Sequence, residues 1–179
     1  MDPNRLTIKS RQALSDAHEQ ATARHHQTIE PEHVLFALVS DPDGVVFPLL
    51  HHMGIAPKSL RDDVDEALER TPKVYAQGTQ VGLSAGTARL LDHARNEAEA
   101  LTDDYVSTEH LLLALLEGDG SAATTLRAAG VTRDGVLAAL AQVRATASSR
   151  RSHRCAVASG LPTRIPRTST RPSSATDAT

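Results

Sequence analysis

The chain has 179 residues and a net charge of −3, with 40% apolar residues, 2% aromatic residues and no tryptophan. That length suffices for one domain with a real core or for two small ones, and a core of Leu, Ala and Val favours helices over strands. A membrane span is excluded, since no apolar run of about 18 residues occurs, and the single Cys155 excludes a disulfide framework.

The opening, "MDPNRLTIKSRQ", is polar and has no apolar leader segment, so a cytoplasmic location is expected. A first helix is predicted from the spacing of Ile8, Ala13, Leu14, Ala17 and Ala21, three or four residues apart. A second begins at Pro31, a favourable first helical residue, with Glu32 complementing the dipole at that end. Its text, "VLFALV", is apolar nearly all round, the mark of a buried central helix. A turn at "DPDG" leads to a third helix ending at Gly54, placed as a C-cap, and a fourth runs from about Pro57 to Arg70.

The connector "TPKVYAQGTQVG" carries one Pro and two Gly and reads as exposed. After it the chain repeats itself with a period of about 76 residues. "LTIKSRQALSDAHEQATA" from Leu6 aligns with "LSAGTARLLDHARNEAEA" from Leu83, and "EPEHVLFAL" aligns with "STEHLLLAL". Leu14/Leu91, Glu32/Glu109, His33/His110, Leu38/Leu115 and Gly54/Gly130 are identical pairs. The second copy therefore predicts the same four helices, its buried "LLLALL" helix starting after Ser107, a strong N-cap, and its last ending near Ala145. Duplicated units of this kind bury their apolar faces together. The expected fold is all-α, about eight helices in two four-helix repeats related by a pseudo-two-fold axis. Residues 1–70 form repeat one, 71–82 the connector and 83–146 repeat two.

From Ala147 the composition changes to Arg, Ser, Thr, Pro and Ala. Residues 1–146 hold 13 Lys and Arg against 21 Asp and Glu, a balance of −8; residues 147–179 hold 6 Arg and one Asp, +5. Ordering such a tail costs roughly 1–2 kcal/mol per residue, more than burial of Val157, Leu161 and Ile165 offsets, so residues 147–179 are expected to be disordered. One reading is a basic arm for nucleic acid, weakened by the lack of aromatics for base stacking; no nucleic-acid partner is expected. The other is a frameshift product, since GC-rich codons read out of frame yield these residues.

The chemistry-bearing motifs are few. His18, His25, His26 and His33 recur every seven or eight residues but show neither H-E-x-x-H nor Cys/His spacing, and no metal is expected. His33 and His110 recur beside a Glu in the first turn of a buried helix; a structural role is expected, an imidazole bonding backbone at the helix start or the partner helix. "DPDG" lacks the spacing of a calcium loop. There is no G-x-S-x-G and no G-x-x-x-x-G-K-[ST], so neither catalysis nor a nucleotide cofactor is expected.

The paired "(S/T/P)-E-H-(L/V)-L-x-A-L" helices and the "G-(I/V)" ends at Gly54 and Gly130 resemble the duplicated N-terminal domain of Clp ATPases. "RLTIKSRQAL" and "ERTPKV" are most similar to ClpB-type disaggregases, and the resemblance covers residues 1–146. It implies a non-catalytic module that docks unfolded or aggregated polypeptide, or a Clp adaptor protein, in a groove between the repeats. It places groove-rim residues at Thr7, Asp103 and Glu109. A monomer is expected, because the family's ring-forming ATPase modules have no counterpart in these residues. The alternative is a free-standing regulator that competes for substrates or adaptors of a full-length Clp ATPase.

Overall fold

Two short helices with almost no polar face set the architecture. In the computed structural model, which describes residues 5–75 and 80–158, with side chains to residue 145, they are α2 (Pro31–Ser40) and α6 (Thr108–Glu117). Every residue of α6 from Thr108 to Leu116 is buried, and α2 buries His33, Val34, Leu35, Ala37, Leu38 and Val39. Around them lie α1 (Ile8–Ala23), α3 (Val46–His52), α4 (Pro57–Glu69), α5 (Ala85–Ala100), α7 (Ser121–Ala128) and α8 (Arg133–Ala158). α2 packs on α1 and α4, α6 on α5 and α7, and α2 touches α6. Burial of each central leucine contributes about 1.5–3 kcal/mol.

The all-α expectation holds: the described residues contain eight helices, and the starts at Pro31 and Thr108 fall where the sequence places them. Among the described residues no helix is long and apolar enough to cross a membrane. The chain divides into units of residues 1–144 and 145–179. Two details differ from expectation. Ile8 is exposed, and α1 buries Ser10 in its place, beside Ala13, Ala17 and Ala21. The last helix runs past the expected end near Ala145, through residues 147–158, to Ala158. Their text, "ASSRRSHRCAVA", contains no Gly or Pro, and nothing in it stops a helix that packing has already nucleated. The expectation of disorder beyond Ala158 lies outside the described residues.

Two parallel pairings join the repeats, and neither was visible in the sequence. β1 (Thr28–Ile29) pairs with β2 (Gly82–Leu83), Ile29 opposite Leu83. Leu6 forms a bridge with Val106. Leu6 and Leu83 are repeat mates, as are Ile29 and Val106. The entry strand of each repeat thus pairs with the loop before the buried helix of the other, a reciprocity that a two-fold relation requires.

Helix ends repeat as closely. Thr7 and Ser84 each cap a long helix, accepting from the backbone N–H three residues on, at 3.2 and 3.1 Å. Gly54 (φ 73) and Gly130 (φ 83) occupy the left-handed positions expected of them. After α1 and α5 the same left-handed position is filled by His25 (φ 59) and Thr102 (φ 57). A left-handed conformation costs a non-glycine residue roughly 1–2 kcal/mol, and more for a β-branched one.

Burying the start of a helix leaves backbone donors that water cannot reach. The third residue of α2 and of α6 is a histidine whose Nδ1 accepts from the backbone N–H of the N-cap: Glu30 N to His33 Nδ1 at 2.9 Å, Ser107 N to His110 Nδ1 at 3.0 Å. The expected bonding of these imidazoles to backbone at the helix start is what the structure shows. With Nδ1 accepting, Nε2 carries the proton. His33 Nε2 then donates to His26 Nδ1 at 2.7 Å, both rings being buried. At the mate of His26 stands Asp103, whose Oδ2 lies 3.2 Å from His110 Nε2. Burial, and then the neighbouring His26, push His33 down to about 4. Burial likewise lowers His26, helped by Arg24 and Lys73 and opposed by Glu69 and Glu30.

Two predictions follow from these termini. Thr102→Gly should raise the melting temperature, by a net gain of about 0.5–1 kcal/mol once glycine's extra chain entropy is deducted; a lower melting temperature would show that Thr102 is held without strain. For His33, the folded state takes up protons less readily than the unfolded chain, so stability is complete above pH 6.5 and falls as pH drops toward about 4. At about 1.4 kcal/mol per pH unit, the loss reaches up to about 3 kcal/mol. His26→Asp, which copies the second repeat, should remove most of this slope in urea-unfolding midpoints measured from pH 7 to 4.

Candidate peptide-docking site

Thr7 sits at the N-cap of α1, with its side chain accepting from Ser10 N and lying 2.9 Å from Ser10 Oγ. Its backbone N–H donates to Val106 O at 3.0 Å, tying it to the loop that leads into α6. Asp103 lies in that loop, and its backbone N–H closes the end of α5 on Ala98 O. Glu109 is in the first turn of α6, with its side chain only 11% exposed.

The structure brings Asp103 and Glu109 together through a residue the sequence reading did not single out. Arg144 Nη2 donates to Asp103 Oδ2 at 2.7 Å and lies 3.5 Å from Glu109 Oε1. The Arg144 guanidinium, aided by His110, holds the Asp103 carboxyl below the usual carboxylate range. Glu109 Oε2 is buried and has no hydrogen-bond partner among the described residues. A carboxylate oxygen without a donor is costly to bury, and it marks a place where an N–H from elsewhere would be taken up. Thr7 joins this cluster only through the backbone at Val106. The signal for Arg144 was faint, a lone Arg near the expected end of the last helix where the other repeat has Leu68.

The repeat mate of Glu109 is spent differently. Glu32 Oε1 accepts from Ala122 N at 3.1 Å and from Ser121 Oγ, closing the start of α7. Beside it a cavity of about 630 Å³ opens between the start of α2 and the facing α5, α6 and α7. Leu90, Ala114, Leu115, Ala122 and Ala123 line it, with Pro31 and Gly86 at one wall. None of Thr7, Asp103 and Glu109 lines it. The equivalent face beside α1 and α2 is divided into a pinch of about 10 Å³ against Thr108 and a separate open cavity of about 400 Å³ lined by Lys9, Gln12, Asp16, Ser40 and Asp41. Glu32 was recognised in the sequence as the repeat mate of Glu109, but the open cavity beside it depends on side-chain sizes across four helices.

Residues 5–150 match the family described as the Clp repeat (R) N-terminal domain. The chaperone protein ClpB of Bacillus anthracis is 33% identical over 147 residues, a match covering 80% of this chain and 17% of that protein. The chain therefore spans under a fifth of the length of the curated relatives it matches. The Hsp104 N-terminal domain from Candida albicans shares the fold, with a TM-score of 0.68 at 23% identity over 78% of this chain and 91% of that one. A ClpV N-domain solved in complex with a VipB peptide has a TM-score of 0.53 at 25% identity over 63% of this chain and 68% of that one. Duplicated repeats, histidine-closed buried helices and the family match agree: the chain belongs to the Clp repeat N-terminal domain family.

Proposed function

We propose that this chain is a non-catalytic docking module that takes up unfolded or aggregated polypeptide, or a short segment of an adaptor protein, at the seam between its repeats. Thr7, Asp103 and Glu109 form the rim of that seam. The observation that carries the reading is Glu109 Oε2, a buried acceptor with no donor among the described residues, beside a half-exposed Asp103–Arg144 pair. An extended peptide presents backbone N–H groups at regular spacing and can supply the missing donor. The kinship with ClpB chaperones and the ClpV N-domain bound to a VipB peptide support the same class of partner.

Thr7 also caps α1, so its replacement by Ala costs about 1 kcal/mol of stability whatever its part in binding. The sharper test keeps the shape and removes charge. Asp103→Asn with Glu109→Gln should melt close to the parent yet bind a fluorescein-labelled, permanently unfolded protein about tenfold more weakly, which is about 1.4 kcal/mol. Unchanged affinity would remove these residues from the site, and no capture by the parent would overturn the docking reading.

A further inference from the structure

We propose that the 630 Å³ cavity between α2, α5, α6 and α7 is a second docking groove, selective for an extended peptide in which an apolar side chain neighbours a lysine or arginine. It rests on the polypeptide-docking reading and names a separate place and a substrate class for it. The cavity is within the range of sites that hold small ligands and peptide side chains.

Three residues of the groove wall are smaller than their repeat mates. Gly86 has Lys9 as its repeat mate, and Ala122 and Ala123 correspond to Val46 and Phe47. A Cβ at position 86 would approach Pro31 Cγ to 3.3 Å, so any side chain there narrows the wall. On the other side Lys9 Nζ reaches across to Asp41 Oδ2 at 2.9 Å, joining α1 to the turn after α2, and the space is split into a pinch of about 10 Å³ and a cavity of about 400 Å³ lined by Lys9, Gln12, Asp16, Ser40 and Asp41. The mate of Asp41 is Gly118, which has no side chain to form such a bridge. Two related surfaces thus differ in lining: one is a single cavity with Leu90, Ala114, Leu115, Ala122 and Ala123 in its wall, the other a pinch and a separate cavity lined mostly by polar side chains.

Its charge selects the occupant. Glu30, Glu32, Glu117 and Asp119 line the groove, against Arg89 and His93. Three of these carboxylates are already engaged, Glu30 by Thr28 Oγ1 at 2.8 Å and the start of its own helix, Glu32 by the start of α7 and Glu117 by Arg133 at 2.7 Å. Asp119 is exposed and forms no ion pair among the described residues. A peptide that lays an apolar side chain against Leu90 and Leu115 can therefore place a neighbouring cation at Asp119, whereas an acidic neighbour meets like charge.

The test is fluorescence anisotropy with two labelled short peptides, one alternating Leu and Arg, the other alternating Leu and Glu. The parent should bind the Leu/Arg peptide at least about tenfold more tightly. Gly86→Leu, which refills the wall, should weaken it about tenfold, and Asp119→Lys, an exposed change without risk to the fold, about threefold at low salt and less at high salt. Asp103→Asn with Glu109→Gln should leave this binding unchanged. Equal affinity for both peptides overturns the charge assignment. Parent-like binding by both Gly86→Leu and Asp119→Lys overturns the groove, and so does a loss in the Asp103/Glu109 variant equal to theirs. Capture of the unfolded protein by the parent, measured alongside, separates the cases: if it persists while the groove variants bind as the parent does, only this inference fails, and if it is absent, the docking reading itself fails.

Discussion

The start of a helix cannot be buried unless its backbone donors find partners inside the protein. α2 and α6 are buried at their starts as well as along their lengths, and each meets this constraint with an imidazole, His33 or His110, that accepts the N-cap N–H. Only because those donors are satisfied can "VLFALV" and "LLLALL" lie at the centre with other helices on every side. The imidazole's other nitrogen then demands an acceptor of its own. His26 supplies it in one repeat and Asp103 approaches it in the other, so the loop after each long helix is drawn to the start of the next buried one. The left-handed residues His25 and Thr102 stand immediately before those acceptors and turn the chain toward them.

The same duplicated frame has been put to unequal use. Asp103 carries charge to the surface, where Arg144 meets it, and leaves Glu109 with an unspent oxygen. His26 keeps its half of the frame neutral and closed, at the expense of acid resistance. Glu32 has been absorbed into the closure of α7, while its mate Glu109 lies 3.5 Å from Arg144 instead. A single surplus residue in "DPDG" relative to "GDG" is enough to move the start of α3 out of step with that of α7.

The two repeats are held together at the edges by backbone and at the centre by leucine. Pairings of one or two residues, Ile29 with Leu83 and Leu6 with Val106, are too short to be stable alone. They fix the relative position of surfaces that the buried helices have already brought into contact. Outside that core the ion pairs that matter are the ones joining distant segments, such as Arg133 on both Glu97 oxygens at 2.7 and 2.9 Å, which sets the start of α8 against α5.

Much of this molecule is local and was legible in the sequence. The apolar runs, Pro31, Ser107, Gly54 and Gly130 each act within one helical turn, so the eight helices, most of their ends and the structural part of His33 and His110 could be read from residues alone. The duplication placed the two buried helices in one core. What remained for the tertiary structure is everything that depends on which side chain arrives from another element. Arg144 lies in a different helix from the two acids it joins, and the reciprocal pairings bring together segments more than 50 residues apart. Whether a surface between helices is a groove or a packed wall is a matter of a few side-chain volumes summed across elements, Gly86 against Lys9 and Ala123 against Phe47, and no periodicity along the chain records that sum.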